Sequence, residues 1–250
     1  MVLMKTGLPE LINALKALCF PPVCLACKLA LPARREFLFC AACAERIETI
    51  VEPLCTCCGR PFPSAAGGNH LCSLCLTNIW HFSQARALIL YEDPVRQAIH
   101  SFKYSGKMAA LHTFGLLYQA NQRIQKDHPP DLILPVPLHG KRLRERGFNQ
   151  ALLLAQAFFP LHRPRIRPDI LMRTRATTPQ TGLSGDDRRR NVRKAFEVRE
   201  RQHLAGKTVL LVDDVFTTGT TVNECAKVLR QAGCLEVRVL TLARVREMGE

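Results

Sequence analysis

From residue 81 onward, apolar positions follow two alternating rhythms. The run 85–91 has the composition of a strand, while 94–104 and 107–126 carry apolar residues at helical spacing. The run 131–138 predicts a second strand, ending in the rigid Pro135-Val136-Pro137, and 149–159 is again apolar at helical spacing. Residues 208–212 are a continuous run of branched and leucine side chains, the signature of a strand covered on both faces. In 220–232, Val222, Cys225, Ala226 and Leu229 form one helical stripe, and Gly233 is placed to close the helix. A further strand is predicted over 236–243. Strands and helices alternating in this order imply right-handed crossovers, and so an α/β fold with a mostly parallel sheet and helices on both faces. The stretch 163–194 fits neither rhythm. It contains Pro164, Pro168, Pro179, Gly182 and Gly185, and reads as a long irregular excursion with one short strand at 170–172.

The rest of the chain differs in texture. Residues 1–20 suit a short amphipathic helix, interrupted by Lys5, Glu10 and Lys16, and residues 21–80 are rich in Cys, Pro and Gly. The expected organisation is an N-terminal helix (1–20), a cysteine-rich module (21–80) and an α/β domain (81–250). At 250 residues and 47% apolar, the chain can bury a sizeable core. No apolar run approaches the roughly 18–20 residues of a membrane span. Residues 1–20 also lack a small-residue cleavage site, so the expected location is cytoplasmic.

The formal net charge of +14 is unevenly spread. Residues 1–80 hold 7 Lys/Arg against 5 Asp/Glu, whereas 141–194 hold 14 against 4. Such a segment suits polyanionic partners: phosphates, pyrophosphate or nucleic acid.

Ten of the 12 cysteines precede residue 76. In a chain without an export signal, this clustering favours metal over disulfides. Four C-x-x-C pairs are present: Cys24/Cys27, Cys40/Cys43, Cys55/Cys58 and Cys72/Cys75, separated by 12, 11 and 13 residues. Two pairs complete a tetrahedral four-cysteine site with no open position, so eight thiolates make two structural Zn2+ sites. Sequential pairing joins the first two pairs and the last two; a cross-braced pairing also satisfies the spacing. An iron–sulfur cluster is the alternative occupant. Cys57 is a spare thiol and His70 a surface histidine on this reading. Cys225 and Cys234 are small core residues, and Cys19 stands outside the pattern.

The most informative stretch is 209–221. A buried strand ends in Asp213 and Asp214, followed by Thr217, Thr218, Gly219, Thr220 and Thr221, which open a helix. A helix amino terminus offers unpaired N–H groups and the positive end of the dipole, so anions bind there. Threonine hydroxyls add donors, and glycine lets the backbone approach a phosphate. Two acids beside a phosphate site make sense as acceptors for sugar hydroxyls.

This segment resembles the signature by which type I phosphoribosyltransferases bind 5-phosphoribosyl-1-pyrophosphate (PRPP). With the four cysteine pairs in front, residues 21–244 are similar to the ComF/GntX family, implicated in natural competence and the use of external DNA. Family-like stretches include Phe102-Lys103-Tyr104, Pro135-Val136-Pro137-Leu138 and Arg146-Gly147-Phe148-Asn149-Gln150. The spaced set Arg173, Arg175, Gln180, Leu183, Arg188, Asn191 and Phe196 is family-like too. The resemblance implies a five-stranded parallel core behind a double zinc ribbon. It implies that Asp213 and Asp214 face the ribose hydroxyls as catalytic and PRPP-binding residues, and that residues 217–221 hold the 5′-phosphate. It also implies Mg2+ bound with PRPP, a pyrophosphate loop over 137–146 and a closing lid over 173–190. Arg142, Arg144 and Arg146 are the candidate pyrophosphate or nucleic-acid contacts. The implied function is PRPP binding, with phosphoribosyl transfer as the enzymatic form, in DNA uptake or use. The alternative is a non-catalytic module that binds single-stranded DNA or adapts other DNA-uptake proteins. No acceptor and no general base can be named from the residues.

Overall fold

The computed structural model describes residues 21–33, 35–64, 67–105, 108–125, 129–175 and 194–246. Its strands are β1 (Gln84–Leu90), β2 (Leu132–Pro135), β3 (Leu171–Arg173), β4 (Phe196–Val198), β5 (Thr208–Phe216) and β6 (Glu236–Arg244). Its α-helices are α1 (Ala41–Ala44), α2 (Ser73–Thr77), α3 (Val95–Ser105), α4 (Ala110–Ala120), α5 (Gln122–Gln125), α6 (Gly140–Arg146), α7 (Gln150–Phe158) and α8 (Thr220–Gln231). The main sheet has the order β1-β6-β5-β2, and every neighbouring pair is parallel. Among the described residues it has four strands, where the family resemblance implied five. β3 and β4 form a separate antiparallel pair. The expected 1–20 helix and most of the 173–190 lid fall outside the described residues.

The central strand β5 explains the layers. Val209, Leu210, Leu211 and Val212 are all buried, and alternation sends them to opposite faces. Leu210 and Val212 join Leu240, Leu242 and the helices α3, α4 and α7 in one core. Val209 and Leu211 join Val237, Val239 and α8 in the other. α8 contributes Val222, Cys225, Ala226 and Leu229, the stripe predicted from spacing. Each large apolar side chain so buried contributes about 1.5–3 kcal/mol.

Three boundaries differ from expectation. The helix over 107–126 breaks at Asn121, whose side-chain Oδ1 accepts from Ile124 N–H and starts a separate turn, α5. β2 is shorter than 131–138: Val136 N–H still reaches Val212 O at 2.9 Å, but Pro137 has no N–H to continue the ladder. β5 is longer than 208–212, running through both acids to Phe216 and pairing Asp213 with Thr241.

The cysteine-rich region is two copies of one motif. Cys24 N–H donates to Leu29 O and Cys55 N–H to Arg60 O, each at 2.8 Å. Lone bridges Val23–Ala30 and Leu54–Pro61 recur at the same offset. Both turns carry a positive φ, at Lys28 (66°) and at Gly59 (71°). Only the second demands glycine: a Cβ on Gly59 would lie 2.4 Å from Ala85 O of β1. This region shares its core with the sheet and helices. Leu38 N–H donates to Thr113 Oγ1 at 3.0 Å, and Ala85 N–H to Cys57 O at 2.7 Å.

Candidate functional site

Asp213 and Asp214 sit near the carboxyl end of β5, where open parallel sheets place ligands. Alternation turns them to opposite sides. Asp214 meets α3: its Oδ1 lies 3.0 Å from Lys103 Nζ, with both side chains largely buried. Burial opposes the charge on Lys103, yet the Asp214 carboxylate outweighs it and holds the ammonium above its ordinary pKa. The other oxygen, Asp214 Oδ2, is buried with no hydrogen-bond partner among the described residues. Asp213 lies on the side of α8 and β3, within electrostatic reach of Arg173. Burial, reinforced by the neighbouring Asp214 charge, raises the Asp213 carboxyl to about 7. Its Oδ1 accepts from Asp214 N–H at 2.9 Å.

The turn between β5 and α8 is shaped by Gly219, the residue before the helix, at φ 74°. A Cβ there would lie 2.6 Å from the Phe216 ring and 2.9 Å from the Trp80 ring, so glycine is required by both conformation and space. Thr218 and Thr220 share a hydrogen bond, Oγ1 to Oγ1 at 2.7 Å, and all four threonines are half-buried. Asn223 anchors the first turn: its Oδ1 accepts from His81 N–H at 2.7 Å and its Nδ2 donates to Ile79 O at 3.1 Å. Sequence reasoning misses Trp80, the only tryptophan; its place just ahead of β1 is the one signal the chain offers.

Residues 137–146 are not an open loop. They contain α6, started by His139, whose Nδ1 accepts from Lys141 N–H at 3.2 Å, and ended by Gly147 at φ 81°. Helical spacing puts Arg142 and Arg146 on one half-buried face and leaves Arg144 exposed. Arg142 is close enough to Arg173 for their charges to interact. The Arg146 guanidinium lies 5.2 Å above the Tyr104 ring, beside Lys103. Of the three predicted arginines, Arg142 thus lies within electrostatic reach of Arg173, Arg146 covers the Tyr104 ring, and Arg144 faces solvent. Asn149 is a structural residue. It caps α7 through Ala151 N–H (2.9 Å) and ties back to Val136 O through Nδ2 (3.1 Å).

The eight paired cysteines form two sets, Cys24/Cys27/Cys40/Cys43 and Cys55/Cys58/Cys72/Cys75, with the sulfurs of each set all within 4.8 Å of one another. This is the sequential pairing. Four thiols at such separations suit a tetrahedral zinc ion. Burial opposes ionisation of Cys24, but N–H groups of Cys40, Cys27 and Ala26 outweigh it and bring the thiol down to about 6. The equivalent Cys55 is brought to about 6 by Cys72, Cys58 and Cys57 in the same way. Both lead sulfurs are therefore prepared as thiolates. His70 lies outside the sets, stacked on Phe62 at 3.9 Å.

Comparison with known proteins matches both halves. Residues 172–249 fit the model of the phosphoribosyl transferase domain, and residues 15–77 that of the double zinc ribbon domain. Competence protein F of Haemophilus influenzae is 34% identical over 227 residues, covering 88% of this chain and 96% of that protein. DNA utilization protein YhgH of Escherichia coli K12 is 34% identical over 229 residues, covering 90% and 97%. Competence protein ComFC of Bacillus subtilis is 27% identical over 82% of this chain and 83% of its own. A double zinc ribbon, a phosphoribosyltransferase domain on a parallel sheet and near full-length identity of one residue in three together place this chain in the ComF family of competence and DNA-utilisation proteins.

Proposed function

We propose that this protein binds PRPP at the junction of β5 and α8, in the service of DNA uptake or use. The observation that carries the reading is Asp214. One of its oxygens is held by Lys103, while the other is a buried acceptor lacking a protein donor among the described residues. Buried acceptors in native proteins have partners, and a sugar hydroxyl is a fitting one. On this reading the two acids accept from the ribose hydroxyls, and residues 217–221 with the amino terminus of α8 hold the 5′-phosphate. Arg142, Arg146 and Arg173 face the pyrophosphate.

Mg2+ favours one or two carboxylates together with phosphate oxygens, and Asp213 and Asp214 are the carboxylates of that kind here. Bound with PRPP, it would supply positive charge to the pyrophosphate. If transfer occurs, positive charge develops on the ribose as pyrophosphate departs. On this reading the acids stabilise that charge and the arginines stabilise the leaving group. The two cysteine sets are assigned to structural zinc.

Calorimetric titration with PRPP, with and without Mg2+, tests the reading. One site per chain that tightens with Mg2+ is expected, and no heat of binding up to millimolar PRPP rejects it.

A second reading, single-stranded DNA binding without catalysis, has its own support. Tyr104 is 67% exposed, lies under Arg146 and flanks His100 at 4.6 Å. An exposed ring beside a basic helix is a platform on which a base can stack. Turnover of PRPP with candidate acceptors separates the two readings.

A further inference from the structure

We infer that Arg244 is a positioning residue: it balances the charge of the second four-cysteine set and holds the turn between β5 and α8 against that set, so that metal in the one and ligand at the other bind cooperatively. The cooperativity rests on the PRPP reading above; the link between set and turn stands without it. Arg244 ends β6, between β1 and β5, and is 1% exposed. Its Nη1 donates to Cys58 O at 2.7 Å. Nε and Nη2 are buried and make no hydrogen bond, so among the described residues no carboxylate bonds to any of the three nitrogens.

An arginine keeps its charge when buried, and a buried charge needs an opposite one close by. The second cysteine set supplies it: Arg244 lies within electrostatic reach of the Cys58 sulfur. When a divalent zinc ion is held by four thiolates, two negative charges remain. The first set can leave that excess to water, because Cys27 is exposed. In the second set Cys55, Cys58 and Cys72 are buried and Cys75 is half-buried, so more of the compensation falls to protein charge. Arg86 also reaches this knuckle, at Thr56 O, but from a half-exposed position.

The same guanidinium reaches the turn. It lies 5.2 Å over the Phe216 ring, and Phe216 pairs with Arg244 across the β5–β6 ladder. Val245 N–H donates to Phe216 O at 3.0 Å, which fixes that strand end. Phe82 meets the ring edge-on at 6.2 Å. The far end of the ring, Cζ, faces Gly219, where a Cβ would lie 2.6 Å from it. Cysteine set, guanidinium, ring and glycine therefore follow one another in contact. Interiors packed this closely transmit a displacement. Loss of the metal, or of the guanidinium, frees Phe216 and with it the residue that starts α8. Linkage makes the effect reciprocal, so a ligand that orders the turn tightens the metal.

The test is transfer of zinc from the full chain to a chromophoric chelator, with and without PRPP. Hydrogen exchange over 24–43 and 55–75, followed in parallel, assigns each released ion to its set. Arg244→Met should speed release from the second set about tenfold, the loss of one charge-assisted contact, and change the first by less than about twofold. Arg244→Lys, which keeps the charge, should restore release to within about threefold of the parent. In zinc-loaded Arg244→Met, exchange over 219–224 should rise about tenfold while β2 stays protected. In the parent, PRPP should slow release from the second set, and Phe216→Leu should abolish that slowing without altering release in its absence. Should Arg244→Met fail to fold, the parent still decides, because stripping the second set must expose 219–224 to exchange ahead of β2. Second-set release in Arg244→Met equal to the parent's, 219–224 still protected after that set is stripped, or PRPP that binds without slowing release would overturn the inference. A parent that binds no PRPP removes the proposed function, whereas exchange over 219–224 still decides the link between set and turn.

Discussion

At the scale of residues, Asp213 and Asp214 are neighbours in sequence but not in role. Asp214 is the buried partner of Lys103, and Lys103→Met strands its carboxylate. Breaking such a pair costs about 3–5 kcal/mol, more than exchanging both partners for neutral groups. Denaturant titration should therefore find Lys103→Met less stable than the double variant Lys103→Met/Asp214→Asn; the reverse order would show that the pair is not a buried one. For ligand binding, Asp213→Asn and Asp214→Asn should each weaken PRPP about tenfold, the loss of one charge-assisted hydrogen bond, with DNA affinity level or slightly raised. Unchanged PRPP affinity in both variants removes the ribose role.

Asp213 also makes a pH prediction. Its folded pKa of about 7 lies above the unfolded value of about 3.9, so the folded state holds the proton longer. The associated stability is present below about pH 4 and is lost as pH rises through about 7. Asp213→Asn should flatten that part of the stability profile and raise the thermal midpoint at about pH 8. A parallel profile for the variant contradicts the raised pKa.

At the scale of elements, the two zinc knuckles repeat the same hydrogen bonds but differ in what they touch. The second is joined to the turn between β5 and α8: Arg244 Nη1 donates to Cys58 O at 2.7 Å, and its guanidinium lies 5.2 Å over Phe216, which packs on Gly219. Metal analysis of fresh, reduced protein should find two zinc ions per chain. Because metal binding and folding are coupled in such knuckles, chelation should release hydrogen-exchange protection over 21–80 first. One ion or none per chain refutes the two-site assignment. These elements were legible to different degrees. The stripe of α8 and the strand β6 follow from periodicity because each buries one continuous face. The break at Asn121 was not legible, because a side chain capping the next turn competes with helix continuation without disturbing the apolar spacing.

At the scale of the whole molecule, the basic excess is sorted by the fold. Arg142 and Arg146 lie half-buried on α6, Arg144 faces solvent, and Arg86, Arg165 and Arg238 line one cavity elsewhere on the sheet. If α6 serves the pyrophosphate, Arg142→Gln/Arg146→Gln should weaken PRPP markedly, while Arg144→Gln should change it by less than about twofold. For DNA, every arginine that pairs with a backbone phosphate should, once replaced by glutamine, reduce the salt dependence of binding by about one unit of slope. Loss of DNA binding alone would make α6 a nucleic-acid patch.

Local pattern by itself determined the α/β class, the eight paired cysteines, the strand–acid–threonine–helix segment and the stripe of α8. Each depends on residues close in sequence or on a short period, so one stretch carries the whole signal. Tertiary structure decided what depends on distant residues meeting: sequential rather than cross-braced cysteine sets, Lys103 on Asp214, Arg173 near Asp213, and Trp80 against Gly219. It also decided that Asp213 and Asp214 lie within β5 rather than beyond its end. That placement depends on the ladder with β6, which pairs residues almost thirty positions apart and leaves no mark in local composition.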